Sequence, residues 1–197
     1  MNKRLYVDLD YTIGFHDAGS GSWVVYDGAI DSLRALKNRV PLTLLTANIR
    51  HKVDKLFVQV PEMGALFSQV ITCEDFAPHF VRLSMEHESR VREGRVPVTR
   101  PFLSFLHDLW CEENAPLPYA AWEKQVYFPQ IAPNKAKVCG DDGLLVDDEF
   151  SNPEPNPLYE RMIRERRAFY AGPRGGTTAK SGPDWEKIKN DIIEVLQ

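Results

Sequence analysis

Cysteine is scarce and scattered in this chain. The three that occur, Cys73, Cys111 and Cys139, form no CxxC or Cys/His pattern, which excludes a disulfide framework and a zinc site and leaves reduced core thiols. Long hydrophobic runs are missing as well. No segment approaches the ~20 apolar residues of a membrane helix, and Met1 to Tyr6 has no apolar stretch of signal-peptide length. A soluble, cytoplasmic protein with no membrane partner is the expectation. Positive charge is not in surplus either: 24 Lys and Arg against 28 Asp and Glu leave a formal net charge of −4, so no global field draws in nucleic acid, although a local basic patch is not excluded. Repeats are absent, and the only low-complexity stretch, Pro173 to Pro183, reads as a loop.

What is present suits one folded domain with an insertion. A chain of 197 residues, 43% hydrophobic, buries one substantial core and is short for two full-sized domains. Leu5-Tyr6-Val7 is a short apolar run that breaks into acidic residues, as a buried parallel strand does at a polar site. Residues 11–27 follow as a hairpin flap, with Gly19-Ser20-Gly21-Ser22 at its turn. Asp27 is the expected N-cap of a helix over Ala29 to Asn38. Leu42-Thr43-Leu44-Leu45 is the next strand, stopping at Thr46-Ala47-Asn48. A helix over Ile49 to Val60 is expected to end at Pro61. Val70 to Thr72, Gly143 to Val146 and Ala168 to Tyr170 complete the strands. Trp185 to Leu196 closes the chain as an amphipathic helix capped by Ser181 or Asp184. Strands alternating with helices imply parallel pairing through right-handed crossovers, hence an α/β fold: a three-layer, Rossmann-like sandwich around a parallel sheet. Residues 77–132 break the alternation and read as a small inserted cap or specificity element, with helices over Phe80 to Glu93 and Phe102 to Trp110.

Ligands bind such sheets beyond the carboxyl ends of the strands, where Asp8/Asp10, Thr46 and Asp147/Asp148 converge. In Asp8-Leu9-Asp10, alternation sets both carboxylates on one side with Leu9 in the packing layer. Neighbouring acids divide labour: one stays ionised as nucleophile and metal ligand, and the other, its pKa raised, protonates a leaving oxygen. A hard dication such as Mg²⁺ would screen the nucleophile from an anionic substrate, with Asp147 and Asp148 as further oxygen ligands. Thr46 can hydrogen-bond a phosphoryl oxygen and Lys135 can neutralise charge on the transferring group.

Together, Asp8-Leu9-Asp10-Tyr11-Thr12, Thr46 after an apolar strand, Lys135, and Leu144-Leu145-Val146-Asp147-Asp148 resemble, in order, the four motifs of the haloacid dehalogenase-like superfamily. The resemblance spans residues 4–150 as separated motifs. It implies a Rossmann-like core, Mg²⁺ and an aspartyl-phosphate intermediate. Asp8 would be nucleophile and metal ligand, and Asp10 general acid/base with its backbone carbonyl on the metal. Thr46 and Lys135 would position the phosphoryl group, Asp147 would ligate metal directly, and Asp148 would do so through water or by orienting other ligands. Thr12, Ala47 and Asn48 fall where substrate would be bound. An acid at Asp10 favours phosphatase over dehalogenase chemistry, since halide departure needs no proton. Lys135 and Lys137 both precede the acidic pair. The run Asn134 to Val138 is similar to that of the 5′-nucleotidase-like branch, where the lysine follows a short polar residue, which favours Lys135.

The leading expectation is therefore an Mg²⁺-dependent phosphatase acting on a nucleotide or other small phosphate ester. Between Thr12 and Thr46 the flap and helix leave no room for a large cap, so specificity is expected from 77–132. A phosphatase of phosphoproteins or nucleic-acid ends, and a catalytically silent binding module, are the alternatives. A receiver-like phosphoacceptor is disfavoured by motif order. The five histidines lack ligand spacing and read as solvated or substrate-facing. Trp23, Tyr26, Trp110 and Trp122 read as packing residues, and the mixed-charge run Arg82 to Arg100 as a solvated helix face.

Overall fold

The short apolar runs pair as a parallel sheet because both of their faces are covered. In the computed structural model, which describes residues 3–17, 19–76, 78–97, 102–123, 125–127, 135–148, 157–171 and 182–197, β1 (Leu5–Val7) lies at the centre. β4 (Leu42–Leu45) is on one side of it and β6 (Leu144–Asp147) on the other. Every residue of β4 and β6 is buried, the pattern of strands sandwiched between layers rather than facing water on one side. β5 (Gln69–Ile71) and β7 (Ala168–Tyr170) form the edges, giving the order β5-β4-β1-β6-β7 with all four pairings parallel. This is an α/β architecture with a five-stranded parallel sheet flanked by helices, compatible with a Rossmann-like fold. The order reverses direction at β1, which makes the crevice between β1 and β6 the switch point where such sheets bind ligands.

The chain divides into two compact units, 1–72 with 134–197, and Cys73–Pro133. In the first, β2 (Gly14–Asp17) and β3 (Ser22–Val25) form an antiparallel hairpin within the expected flap. It is followed by α1 (Ala29–Lys37), α2 (Arg50–Gln59) and α3 (Pro61–Gly64), and later by α8 (Lys135–Cys139), α9 (Pro157–Arg164) and α10 (Trp185–Leu196). α1 and α10 pack through Leu33, Leu36, Trp185, Ile188 and Ile192, all members of one core, and the buried Ser32 hydroxyl donates to the Trp185 carbonyl at 3.2 Å.

Local details depart from expectation at three places. The N-cap of α1 is Gly28, not Asp27, and no side chain caps the helix. The chain enters α1 through φ 76° at Gly28, a left-handed turn that glycine adopts without steric cost, and Asp27 is left one residue outside. Pro61 does end α2, but it also opens α3, because a proline at the first helical position forfeits no hydrogen bond. The β6 strand starts after Gly143 and takes in Asp147. A β-carbon at Gly143 would lie 2.4 Å from the Cys139 carbonyl oxygen, so the turn from α8 into β6 passes too close to that carbonyl for a side chain. At the C-terminal helix Asp184 accepts from the Lys187 amide at 3.1 Å. The other candidate cap, Ser181, lies outside the described residues, as does most of the Pro173–Pro183 stretch.

The second unit is helical among its described residues: α4 (Cys73–Phe76), α5 (Pro78–Arg92), α6 (Phe102–Glu113) and α7 (Tyr119–Trp122). Trp122 is fully buried. The ring of His107 stands edge-on to Tyr119 and Trp122, with Nε2 2.8 Å from the Leu117 carbonyl oxygen. The expectation of a solvated or substrate-facing histidine is therefore corrected at His107: its imidazole is half-buried packing, because the aromatic cluster covers its faces while one nitrogen keeps a backbone partner. Among the described residues, no helix is long and apolar enough to cross a membrane.

Candidate active site

Asp8 follows directly on β1, and its amide extends the ladder by donating to the Val146 carbonyl at 2.9 Å. Leu5 pairs with Leu144 and Val7 with Val146, so one further step of that register brings Asp8 beside Asp147. Two acids thus meet at the carboxyl ends of adjacent central strands. Lys135, the first residue of α8, enters between them. Its Nζ lies 2.7 Å from Asp8 Oδ1 and 3.0 Å from Asp147 Oδ2, and all three residues are buried. Lys137 is exposed. Residues two apart on a helix point away from each other, so α8 can offer only one of the two lysines to the carboxylates.

Asp148 completes the acidic set. One carboxylate oxygen from each of Asp8, Asp147 and Asp148 lies within 4.8 Å of the others. The Asp10 carboxylate is outside that group and is held differently: Asn48 Nδ2 donates to Asp10 Oδ2. Asn48 also donates to the buried Thr46 Oγ1, from its backbone at 3.1 Å and its side chain at 3.3 Å. Because that oxygen accepts from Asn48, the Thr46 hydroxyl keeps its own hydrogen for another acceptor. Thr12, in contrast, is fully buried with its hydroxyl 3.5 Å from Asp8 Oδ2. Ala47 is exposed and offers only backbone.

Between β1 and the hairpin the chain reverses tightly. Leu9 is buried in the core. Tyr11 adopts φ 56°, its amide donates to the Gly14 carbonyl at 2.7 Å, and the Ile13 amide donates to that of Leu9 at 3.0 Å. A bridge joins Asp10 to Gly14. From the far end of the sequence, Trp185 Nε1 donates to the Thr12 carbonyl at 3.0 Å. The loop after Asp8 is thus closed by its own backbone bonds and held from outside by Trp185.

Charge is out of balance here. Burial is the main reason the Asp8 carboxyl is pushed well above its usual range. Lys135 opposes the shift, while Asp147 and Asp10 add to it. Burial pulls Lys135 down, but Asp147 and then Asp8 overcome it and hold the ammonium charged well above its ordinary pKa. Asp10 is raised by burial, against the opposing pull of its bond from Asn48 and of Lys135, Lys52 and His16. Among the described residues, the Lys135 ammonium faces the buried carboxylates of Asp8 and Asp147, and an oxygen of the half-buried Asp148 lies within 4.8 Å of theirs. Repulsion among carboxylates held this close is what a bound cation relieves. The donors are all carboxylate oxygens, with no thiolate or imidazole among them, and suit a hard dication.

Some contributors were not legible beforehand. Trp185 reads in the sequence only as one position of an amphipathic stripe. Tyr159 on α9, whose hydroxyl is driven up by burial and by the nearby Asp147, carries no sequence signal. Arg167 is buried and donates to the carbonyls of Gly140 at 3.1 Å and Gly143 at 2.9 Å, fixing the turn that delivers β6. No protein-family model matches the chain, and no curated protein matches it.

Proposed function

We propose that this chain is an Mg²⁺-dependent phosphatase of the haloacid dehalogenase-like kind, hydrolysing a small phosphomonoester such as a nucleotide. The observation that carries this reading is the Asp8–Lys135–Asp147 ion cluster with Asp148 at the ends of β1 and β6, set next to a second, separately held acid, Asp10. Asp8, Asp147 and Asp148 would hold the metal, with the backbone carbonyl of Asp10. When bound, the dication would draw charge from the phosphoryl oxygens and lessen their repulsion of Asp8.

The chain's own groups then divide the work. Asp8 attacks phosphorus through a carboxylate oxygen, forming the P–O bond of an aspartyl phosphate as the bond to the leaving oxygen breaks. Asp10, whose raised pKa favours the protonated form, gives its proton to that oxygen. In the second half a water attacks the same phosphorus and loses its proton to the Asp10 carboxylate. The acyl phosphate bond breaks, releasing inorganic phosphate and Asp8. Lys135 lies against Asp8 and offsets charge as the phosphoryl group arrives, and the Thr46 hydroxyl hydrogen is suited to a phosphoryl oxygen. Asn48 fixes the orientation of Asp10 and the lone pairs of Thr46 together.

Phosphate release from an aryl phosphate, with and without Mg²⁺, tests the reading. Metal-dependent turnover that falls at least 1,000-fold in Asp8→Asn is expected, on the order of what loss of a covalent nucleophile removes. Full activity in Asp8→Asn would sink the mechanism.

A further inference from the structure

Beside the acid Asp10, a cavity of about 430 Å³ opens between α2 and the β2–β3 hairpin. Its hairpin wall is made by His16 and Trp23, which pair directly across the two strands and so share one face. Its helical wall presents Lys52 and Lys55, one turn apart on α2, with Leu56 beside them. Asp10 and Asn48 also line it, while Asp8, Lys135 and Asp147 do not. The two halves of the site thus differ in chemistry. Around Asp8 the phosphoryl group meets carboxylates and one buried ammonium. Beyond Asp10 the leaving group would meet an indole, aliphatic carbon and two lysines, with Asp10 the acid the described residues place in the lining.

We propose that this cleft holds the leaving-group half of the substrate, and that the substrate is a phosphomonoester bearing a second anionic group, a phosphate or carboxylate, on an organic skeleton. This rests on the phosphatase reading. Lys52 and Lys55 bind the second anion, and Trp23 and Leu56 cover the skeleton. A volume of this size takes a sugar- or nucleoside-sized group in addition to the transferred phosphate.

Calorimetry on Asp8→Asn protein in Mg²⁺ tests this without turnover. The probe pairs are fructose 6-phosphate against fructose 1,6-bisphosphate, and adenosine 5′-monophosphate against adenosine 3′,5′-bisphosphate. At least one bisphosphate should bind ten or more times tighter than its monophosphate, a difference of about 1.4 kcal/mol. Adding Lys52→Gln with Lys55→Gln should bring that ratio within twofold, whereas Lys187→Gln, which removes the same charge on α10, should leave it unchanged. Equal binding of both members of each pair, or a preference that survives the paired lysine substitution, overturns the proposal. If the wild-type protein releases phosphate from no ester, the phosphatase reading fails, and the binding ratios still decide the character of the cleft.

Discussion

Lys135→Met removes the ammonium that bridges Asp8 and Asp147 while keeping most of the side-chain volume. At an effective dielectric of about 20, contacts of 2.7 and 3.0 Å correspond to gross attractions of about 6 and 5.5 kcal/mol. Against these stand the several kcal/mol needed to desolvate the ammonium. Removing one member of such a buried set leaves the remaining charges uncompensated, which costs about 3–5 kcal/mol. For a chain of 197 residues that is a fall in Tm of about 6–20 °C, at roughly 2–4 °C per kcal/mol. The assay is thermal unfolding followed by circular dichroism in EDTA. The loss should shrink as the pH falls, because the raised pKa of Asp8 lets it take up a proton and relieve the repulsion. Mg²⁺ should restore more stability to the variant than it adds to the wild type, since the variant carries the larger negative excess. A variant that melts within 2 °C of wild type in EDTA at pH 8 would refute the charge-imbalance argument.

Cys139 is pushed up to about 12, chiefly by burial and then by Asp147. The unfolded thiol ionises near 9, so above that pH the unfolded state holds fewer protons than the folded one, and stability falls as pH rises. The slope is about 1.4 kcal/mol per pH unit up to the folded pKa, and urea titrations between pH 8 and 10.5 should show it reduced in Cys139→Ala. Trp185→Phe removes the donor to the buried Thr12 carbonyl; a loss of about 1–3 kcal/mol is expected, with a lower kcat on an aryl phosphate because the loop bearing Asp8 and Asp10 loses an anchor. Arg167→Met strips two carbonyls of their donor and should cost about 2–4 kcal/mol by chemical denaturation, with faster amide exchange at Leu144 and Leu145 than in wild type.

The central strands were legible because burial on both faces writes a continuous apolar run, as in Leu42 to Leu45, and because each run breaks at a polar residue where the sheet meets its ligand crevice. Helix entry was not legible at Asp27. Whether a chain enters a helix through an extended cap or a left-handed glycine depends on the direction from which the hairpin delivers it, which is tertiary information. The meeting of Asp8, Lys135, Asp147 and Asp148 was readable as a set of motifs, but the choice between Lys135 and Lys137 rests physically on where α8 starts and which face it turns inward. Trp185 escaped for a plainer reason. Its bond to Thr12 spans 173 positions, and no local pattern announces an indole that anchors a distant loop. His107 was misread because scattered histidines give no sign of the rings that will cover them.

On the proposed reading, the positions of the acids leave a place for a cation beside the lysine. Lys135 reaches Asp8 and Asp147 because β1 and β6 are neighbours in register, and that same adjacency brings the two carboxylates close enough to repel. A sheet that places an acid at each of two adjacent strand ends, with Asp148 next in the chain, gathers three carboxylates whose mutual repulsion a cation would relieve. If the arrangement served stability alone, apolar residues of similar volume would hold the strand ends better, since buried ion clusters seldom outperform good packing. Asp10 sharpens the point. It stands two residues from Asp8, yet it is held by Asn48 and kept out of the three-carboxylate group, so the loop maintains two acids in different electrostatic surroundings. Separation of that kind is what the proposed mechanism requires, with one carboxylate the nucleophile while its neighbour carries a proton.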